Sequence, residues 1–367
     1  MKIPFVDLAS QYNNIKCEID TAIQTVIDET AFIGGRHVDA FETNFKQVYG
    51  AKNCITTANG TDSLYIVMKM LGIGINDEVI TSAYSWISSS ETISQTGAIP
   101  VFVDIDEYFT IDAAKIEEKI NDRTKAIIPV HIHGQMCDMD KIMHIAEKYN
   151  LFVIEDCAQS HFSEYRGVRA GLKGVAGSFS FYPGKNLGAY GDAGCIITND
   201  DHLATKCRMF ARHGALKKHQ HEIEGINSRL DGIQAAILNV KLLSILNWTE
   251  ARIKNANYYN KILKNISQIQ LPKIRENVKH TFHLYVIKTN KRDELANYLK
   301  NNGIETAIHY PVALPNMNAY AYLNNERFIN ASENESRLLS LPMYPELTDV
   351  HMNYIANKIS DFFSHNR

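Results

Sequence analysis

Between residues 53 and 198 the chain repeats one unit: a short apolar or β-branched run, then a stretch with helical spacing of its apolar residues. The strand-like runs are Asn53–Thr57, Glu78–Ser82, Pro100–Asp104, Lys125–His131, Leu151–Glu155, Ser178–Tyr182 and Gly194–Thr198. Helix-like stretches between them are Thr61–Leu71, Ser85–Ser94, Ala113–Ile120 and Asp138–Tyr149. Such alternation predicts an α/β domain whose mainly parallel sheet is flanked by helices. Ligands in these sheets bind outside the carboxyl ends of the strands. Upstream, residues 15 to 30 place Ile15, Ile19, Ala22, Ile23 and Val26 on one helical stripe. Residues 37 to 49 also look helical. Downstream, Asp231 can cap a long helix carrying Ile233, Ile237, Val240 and Leu243. The strand-like Thr281–Lys288 and helix-like Arg292–Asn301 then suggest a smaller α+β unit. The expected division is a large domain over 1–247 and a small C-terminal domain over 248–367, in keeping with a length of 367 residues.

Composition narrows the function classes. A formal net charge of −3 with no basic stripe argues against nucleic acid. No apolar run approaches the roughly 18 residues of a membrane span, and the Met1–Asp7 start does not read as a signal peptide. The expected location is the cytoplasm. Six cysteines form no Cys-x-x-Cys pair and read as free thiols. Glycosylation-like triplets at Asn59, Asn247, Asn265, Asn330 and Asn334 carry no weight without secretion. His131-Ile132-His133 lacks acidic or Cys ligands at suggestive spacing, so no metal site is expected.

Two stretches carry chemistry. Ser178-Phe179-Ser180-Phe181-Tyr182 alternates polar and aromatic residues, then Pro183-Gly184 turns the chain into Lys185. A lysine held on such a turn is a candidate amine nucleophile, able to form a Schiff base if partly desolvated. Phe152-Val153-Ile154-Glu155-Asp156 reads as a buried strand ending in a carboxylate. Pyridoxal phosphate chemistry asks for this pair: an amine for the aldehyde and a carboxylate for the pyridine nitrogen. Asn59-Gly60-Thr61-Asp62 joins a strand to a helix, where Gly60 allows close backbone approach and Thr61 can cap. The start of that helix is a candidate phosphate site.

In these stretches, together with Asn227–Ala236 and Ile308-His309-Tyr310-Pro311, the chain resembles the sugar aminotransferases of the DegT/DnrJ/EryC1/StrS family. The resemblance spans nearly the whole chain and implies fold type I, the aspartate-aminotransferase architecture. It implies that Lys185 and Asp156 are catalytic, with Asp156 on the ring nitrogen and its carboxyl held down by that partner. Gly60, Thr61 and Ser180 would take the cofactor phosphate, Trp86 would stack on the ring, and Gln159 would reach its phenolic oxygen. Asn227 would reach the neighbouring subunit's cofactor phosphate, implying a homodimer with shared active sites. Tyr182, Arg229, His309 and Tyr310 would meet the substrate. The implied reaction moves an amino group from L-glutamate to a nucleotide-linked keto-sugar. Many 4-keto members have histidine at the position of Tyr182, which favours a dTDP-3-keto-6-deoxyhexose acceptor. A 4-keto or UDP-linked acceptor remains open, as do a sugar dehydratase of the same fold, which has His in place of the lysine, and a silent regulatory protein.

Overall fold

The computed structural model describes residues 1–323 and 326–365; positions 324–325 and 366–367, inside the expected small domain, lie outside the described residues. Seven strands form the central sheet: β1 (Asn53–Thr57), β2 (Glu78–Ser82), β3 (Ile99–Val103), β4 (Thr124–Ile128), β5 (Phe152–Asp156), β6 (Ala176–Ser180) and β7 (Gly194–Thr198). Their order is β1-β7-β6-β5-β4-β2-β3. The pairs β2–β3, β2–β4, β4–β5 and β5–β6 are parallel. β7 alone runs against both its neighbours, β1 and β6. The connection from β6 to β7 holds no helix. A parallel crossover needs one or an equally long detour, so the chain returns antiparallel.

Successive side chains of a strand point to opposite faces, and this splits the core in two. Val153, Phe179, Cys195 and Ile197 pack with Phe41, Phe45 and Tyr49 of α3 (Arg36–Tyr49). Ile154 and Ile196 pack on the other face with Leu64 and Val67 of α4 (Gly60–Met70) and Ile93 of α5 (Ser88–Thr96). Both faces are covered, as a parallel sheet requires. A further core gathers Tyr259 of a helix at Ile245–Leu263, Tyr285 and Ile287 of β8 (Tyr285–Lys288), and Leu339 and Leu341 of its antiparallel partner β9 (Leu338–Leu341). Ile3 is buried in this C-terminal core, its N–H bonded to Gly303 O at 2.8 Å.

Local expectations fail in several places; the strand expected over Thr281–Lys288 begins only at Tyr285 and the helix expected from Ser85 begins at Ser88. Residues 113–120 form two 3₁₀ turns, Ala113–Lys115 and Glu117–Lys119, not a helix. Only Ala113 and Ile116 there are buried, too little apolar surface to offset the cost of nucleating a helix. The strand expected to reach His131 ends at Ile128, just before Pro129, which has no N–H for a ladder. The strand expected over 178–182 runs from Ala176 to Ser180, leaving Tyr182 beyond its end. Finally, the long helix after residue 231 is two helices, Gly232–Leu242 and Ile245–Leu263, and the Asp231 side chain makes no cap bond. The Asp231 backbone instead pairs with Ile33.

One buried charge ties the end of β5 in place. Glu155 is fully buried and accepts from Gly171 N–H (2.9 Å), Lys173 N–H (2.8 Å), Gly174 N–H (2.7 Å) and His131 Nε2 (2.8 Å). Cys137 N–H donates to His131 Nδ1 at 3.2 Å, so the ring proton that faces Glu155 sits on Nε2. Burial pushes the Glu155 carboxyl up, but the hydrogen bond and charge of His131, with the Gly174 and Gly171 N–H groups, outweigh it and hold the group below its usual range. Its contribution to stability is therefore present above the unfolded value and lost as pH falls through the folded one. Glu155→Gln should cost about 3–5 kcal/mol at pH 7, read as a lower urea midpoint, and the gap to the parent should narrow in acid. An unchanged midpoint would refute this role.

Candidate active site

The carboxyl ends of β5 and β6 and the start of α4 enclose a cavity of about 450 Å³. Gly60, Thr61, Trp86, Asp156, Gln159, Ser180, Tyr182, Lys185, His309 and Tyr310 all line it. Asn227 and Arg229 do not. Arg229 borders a separate hollow with Arg212 and Lys217, and the Asn227 backbone pairs with Arg212. Both are exposed in the single chain.

Lys185 sits on a turn fixed at several points. Its N–H bonds to Tyr182 O at 2.8 Å, and Ala189 N–H bonds to Phe181 O at 2.8 Å. A Cβ at Gly188 would strike the Pro183 carbonyl, so this return needs glycine. The buried Lys241 ammonium donates to Gly188 O at 2.7 Å. Asn186 donates to Thr281 O at 3.3 Å, bringing in the C-terminal segment. The alternation of residues 178–182 places Phe179 and Phe181 in the core and Ser180 and Tyr182 on the cavity. Desolvation lowers the Lys185 amine to about 8, while the nearby Asp156 charge works the other way.

Asp156 is buried at the end of β5. Ala158 N–H donates to Oδ1 at 3.1 Å and Ser89 Oγ to Oδ2 at 3.0 Å. Burial pushes this carboxyl up; the Ala158 and Ser89 hydrogen bonds and the Lys185 charge pull it back without cancelling the rise. The expectation of a lowered carboxyl presupposes a cation on the ring nitrogen, and the protein's own groups do not supply that much positive charge.

At the phosphate end, Asn59, not Thr61, caps α4: its side chain accepts from Asp62 N–H at 2.7 Å. The Thr61 hydroxyl instead pairs with Ser88 Oγ at 2.8 Å. The first N–H groups of a helix have no partner within it, and Gly60 and Thr61, the first two residues of α4, line the cavity. A Cβ on Gly60 would come within 2.7 Å of Ser180 Cβ, so glycine lets the helix start abut β6. The Trp86 indole is 58 % exposed at the cavity, 5.8 Å from the Tyr310 ring. Gln159 is oriented by His133 N–H, which donates to Oε1 at 2.6 Å, and its Nε2 donates to Tyr310 OH at 2.8 Å. Tyr84 OH donates to Tyr310 O at 2.8 Å and also accepts from Tyr310 N–H. It thereby secures the 309–310 segment to the sheet.

Sequence reasoning missed Ser85, Ser89, Tyr84 and Asp192. Ser85, Ser89 and Asp192 line the cavity, and Tyr84 holds Tyr310. The four-residue spacing of Ser85 and Ser89 was a visible signal; the reach of Tyr84 across 226 positions was not.

The residues fit pyridoxal phosphate. A desolvated amine and a buried carboxylate share one cavity, and a helix start with adjoining hydroxyls can receive a phosphate. The sequence pattern of the DegT/DnrJ/EryC1/StrS aminotransferase family matches residues 13–360. The "Pleiotropic regulatory protein" of Geobacillus stearothermophilus is 42% identical over 100% of both chains. The "dTDP-3-amino-3,6-dideoxy-alpha-D-galactopyranose transaminase" of Aneurinibacillus thermoaerophilus is 42% identical over 98% of this chain and 99% of its own. The crystal structure of S. venezuelae DesV in complex with a ketimine intermediate superposes with a TM-score of 0.96 at 36% identity, covering 98% of each chain. With the motifs, the cavity and these likenesses in agreement, the chain belongs to the DegT/DnrJ/EryC1/StrS aminotransferase family, whose members depend on pyridoxal phosphate.

Proposed function

We propose that the protein transfers the amino group of L-glutamate to a nucleotide-linked keto-sugar, a dTDP-3-keto-6-deoxyhexose, giving the dTDP-3-amino-3,6-dideoxyhexose. The observation that carries this reading is the Lys185 amine, lowered to about 8 in the cavity that also holds buried Asp156. Pyridoxal phosphate, when bound, supplies an aldehyde carbon and an electron-accepting ring. Lys185 Nζ is the nucleophile and the base that takes the proton from the donor's Cα and delivers it onward. Asp156 holds a proton on the cofactor's ring nitrogen, Trp86 covers the ring face, and Gln159 has a second amide N–H for its phenolic oxygen. Gly60, Thr61 and Ser180 bind the phosphate. Atoms balance across the two halves: glutamate becomes 2-oxoglutarate as its amine carbon is oxidised, and the keto carbon of the sugar is reduced to the amine.

A 3-keto acceptor is favoured by Tyr182, 58 % exposed at the cavity mouth beside His309 and Tyr310, and by the activity named for the A. thermoaerophilus relative. Lys185 argues against a dehydratase, and the complete Lys185–Asp156–Gln159–Ser180 set argues against a silent regulator. Exposed Phe32, Ile33, Leu216 and Leu243, with Asn227 and Arg229 outside their own cavity, support a homodimer in which Asn227 completes the partner's phosphate site and Arg229 meets substrate there. Among the described residues no helix is long and apolar enough to cross a membrane. Six free thiols suit a reducing compartment, the cytoplasm. The C-terminal core supports a boundary near residue 248, within the helix that enters it.

Adding L-glutamate alone to the cofactor-loaded protein should release 2-oxoglutarate stoichiometrically, and later 3-keto sugar nucleotide should become amino sugar. No release from loaded protein would defeat the transaminase reading; turnover of a 4-keto sugar only would defeat the C3 assignment. The neutral fraction of Lys185 rises with pH through about 8. Cofactor capture by the stripped protein should therefore accelerate roughly tenfold per unit below pH 8 and level off above it; a flat profile from pH 7 to 9 contradicts the assignment. Lys185→Ala and Asn227→Ala chains should each be nearly inactive alone. Mixed, they should recover roughly a quarter of parental activity, since half the dimers are mixed and each of those regains one of two sites. No recovery in verified mixed dimers would exclude sharing across the interface.

A further inference from the structure

The Asp156 carboxylate is held from both sides, and one of the holders has no role so far. Ser89 is 1 % exposed and its Oγ lies 3.0 Å from Asp156 Oδ2. Ser85, 3 % exposed, places its Oγ 2.8 Å from Ser89 Oγ. Ser89 Oγ also lies 3.2 Å from Trp86 O. A hydroxyl has a single proton, and a carboxylate is the stronger acceptor. The Ser89 proton therefore goes to Asp156, and the Ser85 proton can go to Ser89 Oγ. Opposite, Ala158 N–H takes Oδ1 at 3.1 Å. Each carboxylate oxygen then keeps a lone pair for the cavity, which Asp156, Ser85 and Ser89 all line.

We propose that Ser89, backed by Ser85, is a positioning residue that fixes the plane of the Asp156 carboxylate and keeps it the anion that faces the cofactor's ring nitrogen. The inference rests on the cofactor reading above. The reason is charge balance. Burial disfavours ionised Asp156, and each donor to the charged form opposes that effect. The other titratable groups acting on Asp156 are Lys185 and His131, with Tyr310 and Cys157 also coupled to it. The charge of Lys185 changes with its own titration near 8 and with cofactor binding, and His131 is already committed to Glu155. Tyr310 and Cys157 are both pushed up by burial and stay neutral. The Ser89 hydroxyl and the Ala158 N–H are thus the permanent support of the anion.

The test is the ¹⁵N chemical shift of ring-labelled pyridoxal phosphate bound to the parent, Ser89→Ala, Ser89→Thr and Ser85→Ala proteins, titrated from pH 6 to 9. The parent should show a protonated ring nitrogen. Ser89→Ala should lower the protonation constant about tenfold, one pH unit. Its kcat should fall by a similar factor, with the KM for glutamate within about twofold. Ser89→Thr should restore the titration, and Ser85→Ala should give a smaller shift in the same direction. A Ser89→Ala titration that overlays a protonated parent overturns the role of Ser89 alone, as does Ser89→Thr behaving like Ser89→Ala. A parent whose ring nitrogen is already neutral overturns the assignment of Asp156, and the role of Ser89 with it.

Discussion

The site hangs on a buried anion that does no chemistry. Glu155 lies one residue before Asp156, so it faces the opposite side of the strand end. There it collects three backbone N–H groups and the His131 ring. These bonds stop the β5 terminus from fraying and bind it to the 171–174 turn and the segment after β4. Asp156 inherits that rigidity: its own N–H bonds to Pro129 O, and its O accepts from His131 N–H, both at 3.0 Å. A catalytic group must be held to a fraction of an ångström by its support. Here the support is a satisfied charge, costly to bury and costly to disturb.

A single physical cause tunes the two central groups in opposite directions. Desolvation disfavours whichever form is charged. It lowers Lys185, whose charged form is the acid, and raises Asp156, whose charged form is the base. A lowered amine is what a nucleophile near neutral pH requires. A raised carboxyl has to be countered, and the geometry counters it with Ser89 and Ala158. One cavity thus makes a reactive lysine without further devices, and makes an anionic aspartate only with them.

Much of this was legible in advance because local rules carried it. β1, β2 and β7 fall on the predicted residues, since short apolar runs between turn residues leave little freedom in register. The alternation around Phe179 correctly separates core from cavity. Errors concentrate where two local signals compete. Thr61 and Asn59 can both cap a helix, and the chain uses Asn59. Residues 113–120 have helical spacing but only two buried side chains.

The sequence by itself determined the succession of the seven central strands, the carboxylate at the end of β5, the lysine on its turn and the helix start poised for a phosphate. Each follows from neighbours within a few positions, where periodicity and turn chemistry act. Only the tertiary structure decided which groups meet. Ser89 reaches Asp156 across 67 positions, Tyr84 holds Tyr310 across 226, and Asn186 bonds to Thr281 across 95. It also decided that Asn227 and Arg229 stay outside the cavity of their own chain. These contacts depend on how the sheet twists and which faces its helices cover. They also set the desolvation of Lys185 and Asp156, because burial is a property of the packed chain and not of any stretch of it.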